Sequence, residues 1–164
     1  MAKRFTILFV CTGNTCRSPM AEGALRMLLD KERPGRAEVI SAGIAAGEGF
    51  PATFYAQEAA LVWDVDISGH QSQPLTSRLV GRADLIFAMS PRHHRQVLRL
   101  DPDAADRTFL FKSFPDNSPD GDGVEDPIGQ PLDRYNQAFL EIGEWLGRHL
   151  DEIVKRIDEN SDGN

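Results

Sequence analysis

The chain has 164 residues, 41% of them hydrophobic, two cysteines and a formal net charge of −7. That length suits a single domain with a sizeable core, and the acidity argues against nucleic acid and membrane surfaces as partners. Cys11 and Cys16 sit in one short stretch, which is no disulfide framework, and no segment is long and apolar enough for a membrane span, so a cytoplasmic location is expected.

Residues 5–10 are almost wholly apolar and rich in strand formers, the pattern of a strand buried on both faces of a parallel sheet. Lys3 and Arg4 precede them, but the run is too short for a signal-peptide core. Ser18 is placed to cap a helix with Pro19 at its first position. In that helix Met20, Ala24 and Leu28 share a face, with Leu25 and Leu29 beside them, and Pro34-Gly35 ends it. A second strand is expected over 38–43. A helix follows over 51–63, with Phe54, Ala59 and Val62 among its apolar positions, and then a polar segment over 68–74. Residues 83–89 read as a third strand, 91–100 as a helix and 108–111 as a fourth strand. Residues 112–130 are rich in Pro, Gly, Asp and Ser and make a long loop, a feature often tied to function. The last helix spans 131–157, where Tyr135, Ala138, Phe139, Ile142, Leu146, His149, Ile153 and Ile157 keep a helical period. This leaves a domain over 1–157 and a flexible tail over 158–164. The alternation of strand and helix predicts a doubly wound α/β domain with helices on both faces and a ligand site at the carboxyl ends of the strands.

The first strand runs directly into Cys11-Thr12-Gly13-Asn14-Thr15-Cys16-Arg17-Ser18. A loop between a strand and a helix N-terminus turns main-chain N–H groups inward, and the helix dipole adds positive potential. Gly13 permits a tight turn, and Asn14 tolerates left-handed backbone and carries an amide able to tie the loop together. Arg17 supplies a planar fork matched to two phosphate oxygens. The same field lowers the pKa of Cys11, and Ser18 is placed to donate to its thiolate. The loop thus suits a tetrahedral oxyanion held by residues 12–16 and 18, with a thiol beneath it.

These residues, from Phe9 to Glu22, together with Ser41-Ala42-Gly43, Ala83-Asp84-Leu85 leading to Met89, and Asp126-Pro127, resemble the low-molecular-weight protein tyrosine phosphatase family in order and extent. The resemblance implies a four-stranded parallel sheet of Rossmann or flavodoxin type. It also implies Cys11 as nucleophile, Arg17 as transition-state clamp, Asp126 as general acid, and hydrolysis through a phosphocysteine with no metal or other cofactor. Residue physics alone leaves Asp116, Asp120, Asp122, Glu125 and Asp126 open as acids; the resemblance selects Asp126, which Pro127 restricts to extended backbone. It further suggests Cys16 as a redox partner that shields Cys11 in a reversible disulfide, and a brace between Asn14 and Ser41.

Thr15 stands where tyrosine-specific members carry a bulky aliphatic residue, and Ile128-Gly129 stand where those members carry aromatics. The loop is similar to that of the bacterial protein arginine phosphatase branch, so phosphotyrosine and phosphoarginine both remain open as substrates. For Thr15 the alternative is a hydroxyl spent on the loop backbone. Tyr55 reads as a packed helix residue rather than an aromatic wall beside Phe50 and Phe54, and the adjacent His93 and His94 read as surface residues, not ligands. The acidic run 116–127 has Pro127 where a calcium loop needs Glu, and Asp158, Asn160, Asp162 and Gly163 match only half of such a loop. Two other functions are weighed. An arsenate reductase needs further cysteines, and none follows Cys16; a silent phosphopeptide-binding module has no use for both Cys11 and Asp126. A phosphorylated protein is the expected partner and a monomer the expected state.

Overall fold

The computed structural model describes residues 3–162. Its centre is β1 (Phe5–Cys11), every residue of which is buried. β2 (Ala37–Gly43) pairs with one edge of β1 and β3 (Leu85–Ala88) with the other, both in parallel; β4 (Thr108–Leu110) then pairs parallel with β3. The order β2-β1-β3-β4 reverses direction at β1, and the crevice at such a switch point is where doubly wound folds hold ligands. Cys11 closes the ladder opposite Gly43, so the loop that follows leaves the sheet at that crevice.

The continuous apolarity of β1 is divided between two cores. Phe5, Ile7, Phe9 and Cys11 face α1 (Arg17–Glu32) and α5 (Leu132–Asp162), while Leu8 and Val10 pack with Val80 and Val97 of α3 (Ser77–Arg82) and α4 (Pro91–Leu100). All eight periodic positions expected on the last helix are buried. Phe9, Phe87, Phe111, Phe114 and His149 form a contiguous set of ring contacts, edge-on or stacked, with centroids 5.0 to 6.2 Å apart.

Several expectations need correction. α1 starts at Arg17, so Pro19 is its third residue, and the residue before α1 makes no side-chain cap. The helix expected over 51–63 is confined to α2 (Phe54–Leu61), where Thr53 caps by accepting from the Ala56 amide. Phe54 and Val62 are exposed, because the buried face of α2 is made by Ala56, Ala59 and Ala60. α3 and a 3-10 helix (Pro102–Arg107) were not anticipated; six residues each are too few to display a period. The flexible tail expected over 158–164 is helical as far as Asp162. Asp158 there accepts from Arg33 Nε and Nη2 at 2.8 and 2.9 Å; Gly163 and Asn164 lie outside the described residues. His93 and His94 are 1% and 4% exposed rather than on the surface, since the buried arc of α4 is wide enough to take both neighbours together with Val97. Tyr55 is 41% exposed and meets Tyr135 edge-on at 5.6 Å instead of packing inside.

Candidate active site

The loop after β1 closes a pocket of about 140 Å³ lined by Cys11, Thr12, Gly13, Thr15, Cys16 and Arg17, with Asp126 and Ile128 from the long 112–130 loop on its far wall. Its floor is the Cys11 sulfur. Ser18 does not cap α1: its hydroxyl is spent on the site, 2.8 Å from Cys11 Sγ.

Asn14 is the structural centre of the loop. It is fully buried with φ +58°, the left-handed region that Asn enters more readily than most residues. Its Nδ2 donates to Ser18 Oγ at 2.8 Å and to Ser41 Oγ at 2.9 Å. Its Oδ1 accepts from the Gln73 amide at 2.9 Å. Ser41 Oγ donates to Glu22 Oε1 at 2.8 Å, and His70 Nε2 lies 2.6 Å from the Asn14 carbonyl. The brace between Asn14 and Ser41 is thus present. Gln73 and His70 lie in the polar 68–74 segment, where nothing periodic marks them, and Glu22 enters the sequence reading only as the end of the family-like run, with no role assigned.

Gly43 shows how closely β2 approaches this loop. A Cβ there would stand 2.4 Å from the Thr12 carbonyl oxygen and 3.0 Å from the Asn14 amide nitrogen. Both are main-chain atoms, so neither can rotate aside.

Arg17 is 6% exposed, an unusual place for a guanidinium. Nη1 donates to the Val124 carbonyl at 3.0 Å, and Nη2 to Thr12 Oγ1 at 3.4 Å. Nη2 also pairs with Asp126 Oδ2 at 3.3 Å. Among the acidic residues of the 112–130 loop, Asp126 is the one that lines the pocket. The loop is seated by Val124, whose amide donates to the Met89 carbonyl at 2.8 Å. Gly123 makes that seating feasible, since a Cβ there would fall 2.8 Å from the Met89 carbonyl oxygen.

Burial is the largest influence on the Cys11 thiol and pushes its pKa up. The Ser18 hydroxyl, the Ser18 and Asn14 amides and the Arg17 guanidinium all pull it down. The net direction is upward, which corrects the expected lowering: the pocket floor excludes solvent from the sulfur more strongly than these donors favour its charge. Cys16 is also buried and free, with Sγ 3.5 Å from Thr53 Oγ1 and 3.7 Å from the Tyr135 hydroxyl. Burial and Cys16 push Tyr135 up to about 12, so its phenol stays protonated. Thr15 lines the pocket, with its Oγ1 4.0 Å from Cys16 Sγ. Among the described residues no three His, Cys, Asp or Glu side chains gather as a metal-binding group, and no helix is long and apolar enough to cross a membrane.

A buried thiol beneath a loop suited to an oxyanion at the switch point of a doubly wound sheet, with a guanidinium and a carboxylate in the same pocket, is the arrangement of a phosphoryl hydrolase. The family model of the low molecular weight phosphotyrosine protein phosphatases matches residues 6–162, and the chain belongs to that family. It is 36% identical over 149 residues to the protein-arginine-phosphatase of Geobacillus stearothermophilus, covering 91% of this chain and 96% of that one. It is 39% identical over 152 residues to the probable low molecular weight protein-tyrosine-phosphatase EpsP of Ralstonia nicotianae, covering 93% and 95%. Among solved structures, a cysteine-to-serine mutant of the YwlE arginine phosphatase with a phosphorylated active site serine superposes with a TM-score of 0.83. Its identity is 35%, over 93% of this chain and 99% of that one.

Proposed function

We propose that the protein removes phosphoryl groups from proteins through a phosphocysteine on Cys11, and that phosphoarginine is the side chain it prefers. The observation that carries the first part is the meeting of Cys11, Arg17 and Asp126 in one 140 Å³ pocket. In this reading the oxyanion enters the loop over residues 12–16 and 18, Arg17 bridges two of its oxygens, and Cys11 Sγ attacks phosphorus as the ester or amide bond breaks. Asp126 gives its proton to the leaving oxygen or nitrogen and then takes one from the water that hydrolyses the thiophosphate. The Cys11 thiol gives its proton to solvent before the attack, and the donors around it stabilise the resulting thiolate against the cost of its burial. The phosphorylated serine of the YwlE mutant supports a covalent intermediate in that relative.

Preference for phosphoarginine rests on Thr15 and Ile128. A hydroxyl on the pocket wall can bond a guanidinium N–H, which a branched alkyl group cannot. Ile128, 54% exposed, offers no aromatic face beyond Asp126. The second reading, phosphotyrosine, has its own support in Tyr55, exposed beside Tyr135, whose hydroxyl reaches Cys16. An arsenate reductase is not supported, since no cysteine follows Cys16. For Cys16 we propose that a peroxide oxidises Cys11 to a sulfenic acid, that the Cys16 thiol displaces water from it to form a protective disulfide, and that a cytoplasmic dithiol returns both to thiols.

Rapid acid quench with a labelled phosphoprotein tests the covalent step: a sulfur-bound phosphoryl group is expected, and Cys11→Ser turns nothing over while still binding phosphate. Comparing kcat/KM on phosphoarginine and phosphotyrosine peptides tests the preference. Thr15→Ile is expected to shift that ratio about tenfold or more toward phosphotyrosine. An unmoved ratio removes Thr15 from the argument.

A further inference from the structure

His93 is not among the residues that line the pocket, yet it is 1% exposed and its two ring nitrogens are both engaged. Nε2 lies 2.9 Å from Thr12 Oγ1, and Nδ1 lies 2.8 Å from Ser90 Oγ. Thr12 Oγ1 is also the atom that Arg17 Nη2 reaches. A guanidinium only donates, so Thr12 accepts from Arg17 and its own hydroxyl proton is left for His93. An imidazole that accepts at Nε2 carries its proton on Nδ1 and gives it to Ser90. One directed chain, Arg17 to Thr12 to His93 to Ser90, gives each of its three bonds a single donor.

Ser90 bears this out independently. It occupies the N-cap position of α4, where a serine ordinarily bonds a helix amide, but it makes no side-chain cap. Its hydroxyl is committed to His93 instead. Arg17 has one main-chain partner, the Val124 carbonyl at Nη1, and the Thr12 hydroxyl gives the guanidinium a second point of attachment at Nη2. Its remaining partner, Asp126, is 39% exposed and sits on the long loop.

We propose that His93 is a positioning residue for Arg17, acting through the Thr12 hydroxyl to hold the guanidinium in the plane that the transferring phosphoryl group requires. The role demands a neutral imidazole, because an imidazolium would donate at both nitrogens and set a second cation beside Arg17. Burial, Arg17 and Arg92 keep it neutral, with a pKa lowered to about 3. The inference rests on the assignment of Arg17 as the phosphate clamp.

The test compares His93→Phe, His93→Gln, Thr12→Val and the Phe/Val double variant, using p-nitrophenyl phosphate, vanadate and inorganic phosphate. His93→Phe keeps the ring volume but loses the chain, and is expected to lower kcat about tenfold with KM changed less than about threefold. Vanadate, which resembles the transition state, loses about tenfold in affinity, and phosphate less than about threefold. His93→Gln, whose amide oxygen can accept from Thr12, recovers most of the loss. The double variant is no worse than about twofold below either single, because both cut one chain. Thr12→Val leaves the core around His93 intact, so it carries the test even if His93→Phe folds poorly. Additive losses, a Gln variant as poor as Phe, or losses that follow the melting temperature alone overturn the proposal. Cys11→Ser run alongside separates the two readings: if it is inactive while His93→Phe and Thr12→Val behave as wild type, the positioning role fails and the phosphatase mechanism stands.

Discussion

Arg17 Nη2 stands 3.3 Å from Asp126 Oδ2, so the residue read as clamp and the residue read as acid hold each other across the pocket. An oxyanion entering the loop competes with the Asp126 carboxylate for the same guanidinium edge. In the proposed reaction that exchange would free the Asp126 carboxyl group to serve as the proton donor.

Asp126→Asn is therefore expected to lower kcat by about 10²-fold or more on an alkyl phosphate, whose leaving oxygen needs a proton. On a nitrophenyl phosphate, which leaves readily as an anion, the loss is expected to be less than about tenfold. Steady-state rates across a leaving-group series measure this; equal losses throughout would remove Asp126 from the acid role.

Ser18→Ala takes away a group that pulls the Cys11 pKa down, so that pKa moves further up. The inflection in the pH dependence of iodoacetamide alkylation is expected to shift to higher pH, with slower alkylation at neutral pH. An inflection that stays in place would mean that the 2.8 Å contact does not stabilise the thiolate.

Gly43→Ala adds a methyl group 2.4 Å from the Thr12 carbonyl oxygen, and the loop must give way. Phosphate affinity and kcat/KM are expected to fall at least about tenfold while the helical circular dichroism is retained. Gly23→Ala is the contrast: its new Cβ meets side-chain methyls of Ile67 and Val65, away from the loop. It is expected to cost stability, by about 1–3 kcal/mol in urea denaturation, and little activity.

Three buried histidines, His93, His94 and His149, have pKa values lowered chiefly by burial. Below the ordinary histidine pKa the unfolded chain binds protons that the native chain refuses, so stability is present above about pH 6.5 and lost as the pH falls toward 3. With His93 lowered to about 3, its share of the loss between pH 7 and pH 5 is about 2 kcal/mol. Urea midpoints at the two pH values check this, and His93→Phe should flatten the dependence. A midpoint independent of pH over that range would contradict the neutral, buried state of these rings.

The readable parts of the chain were those where neighbours in sequence are neighbours in space. Phe5 to Cys11 shows its burial through unbroken apolarity, and α5 shows its buried face through a period kept from Tyr135 to Ile157. The thiol and the guanidinium lie within one loop, so their spacing announced the pocket. A serine before Pro19 fits the pattern of a cap, but of the two roles its position suggests, the Ser18 hydroxyl takes the one beside Cys11. His93 and His94 were misread because adjacency on a helix says nothing about how wide the buried arc is.

Strand and helix order, and with them the doubly wound class, follow from local hydrophobic pattern, which acts over a few residues and is written in composition. The Cys11-to-Ser18 loop is equally local. The contacts that tune it are not: Gln73 and His70 on Asn14, Val124 and Asp126 on Arg17, and His93 on Thr12 each join groups distant along the chain. Such contacts depend on where the 68–74 segment, α4 and the 112–130 loop come to rest against β1 and the loop that follows it. That placement is settled by core packing on both faces of the sheet, and no spacing within the sequence encodes it.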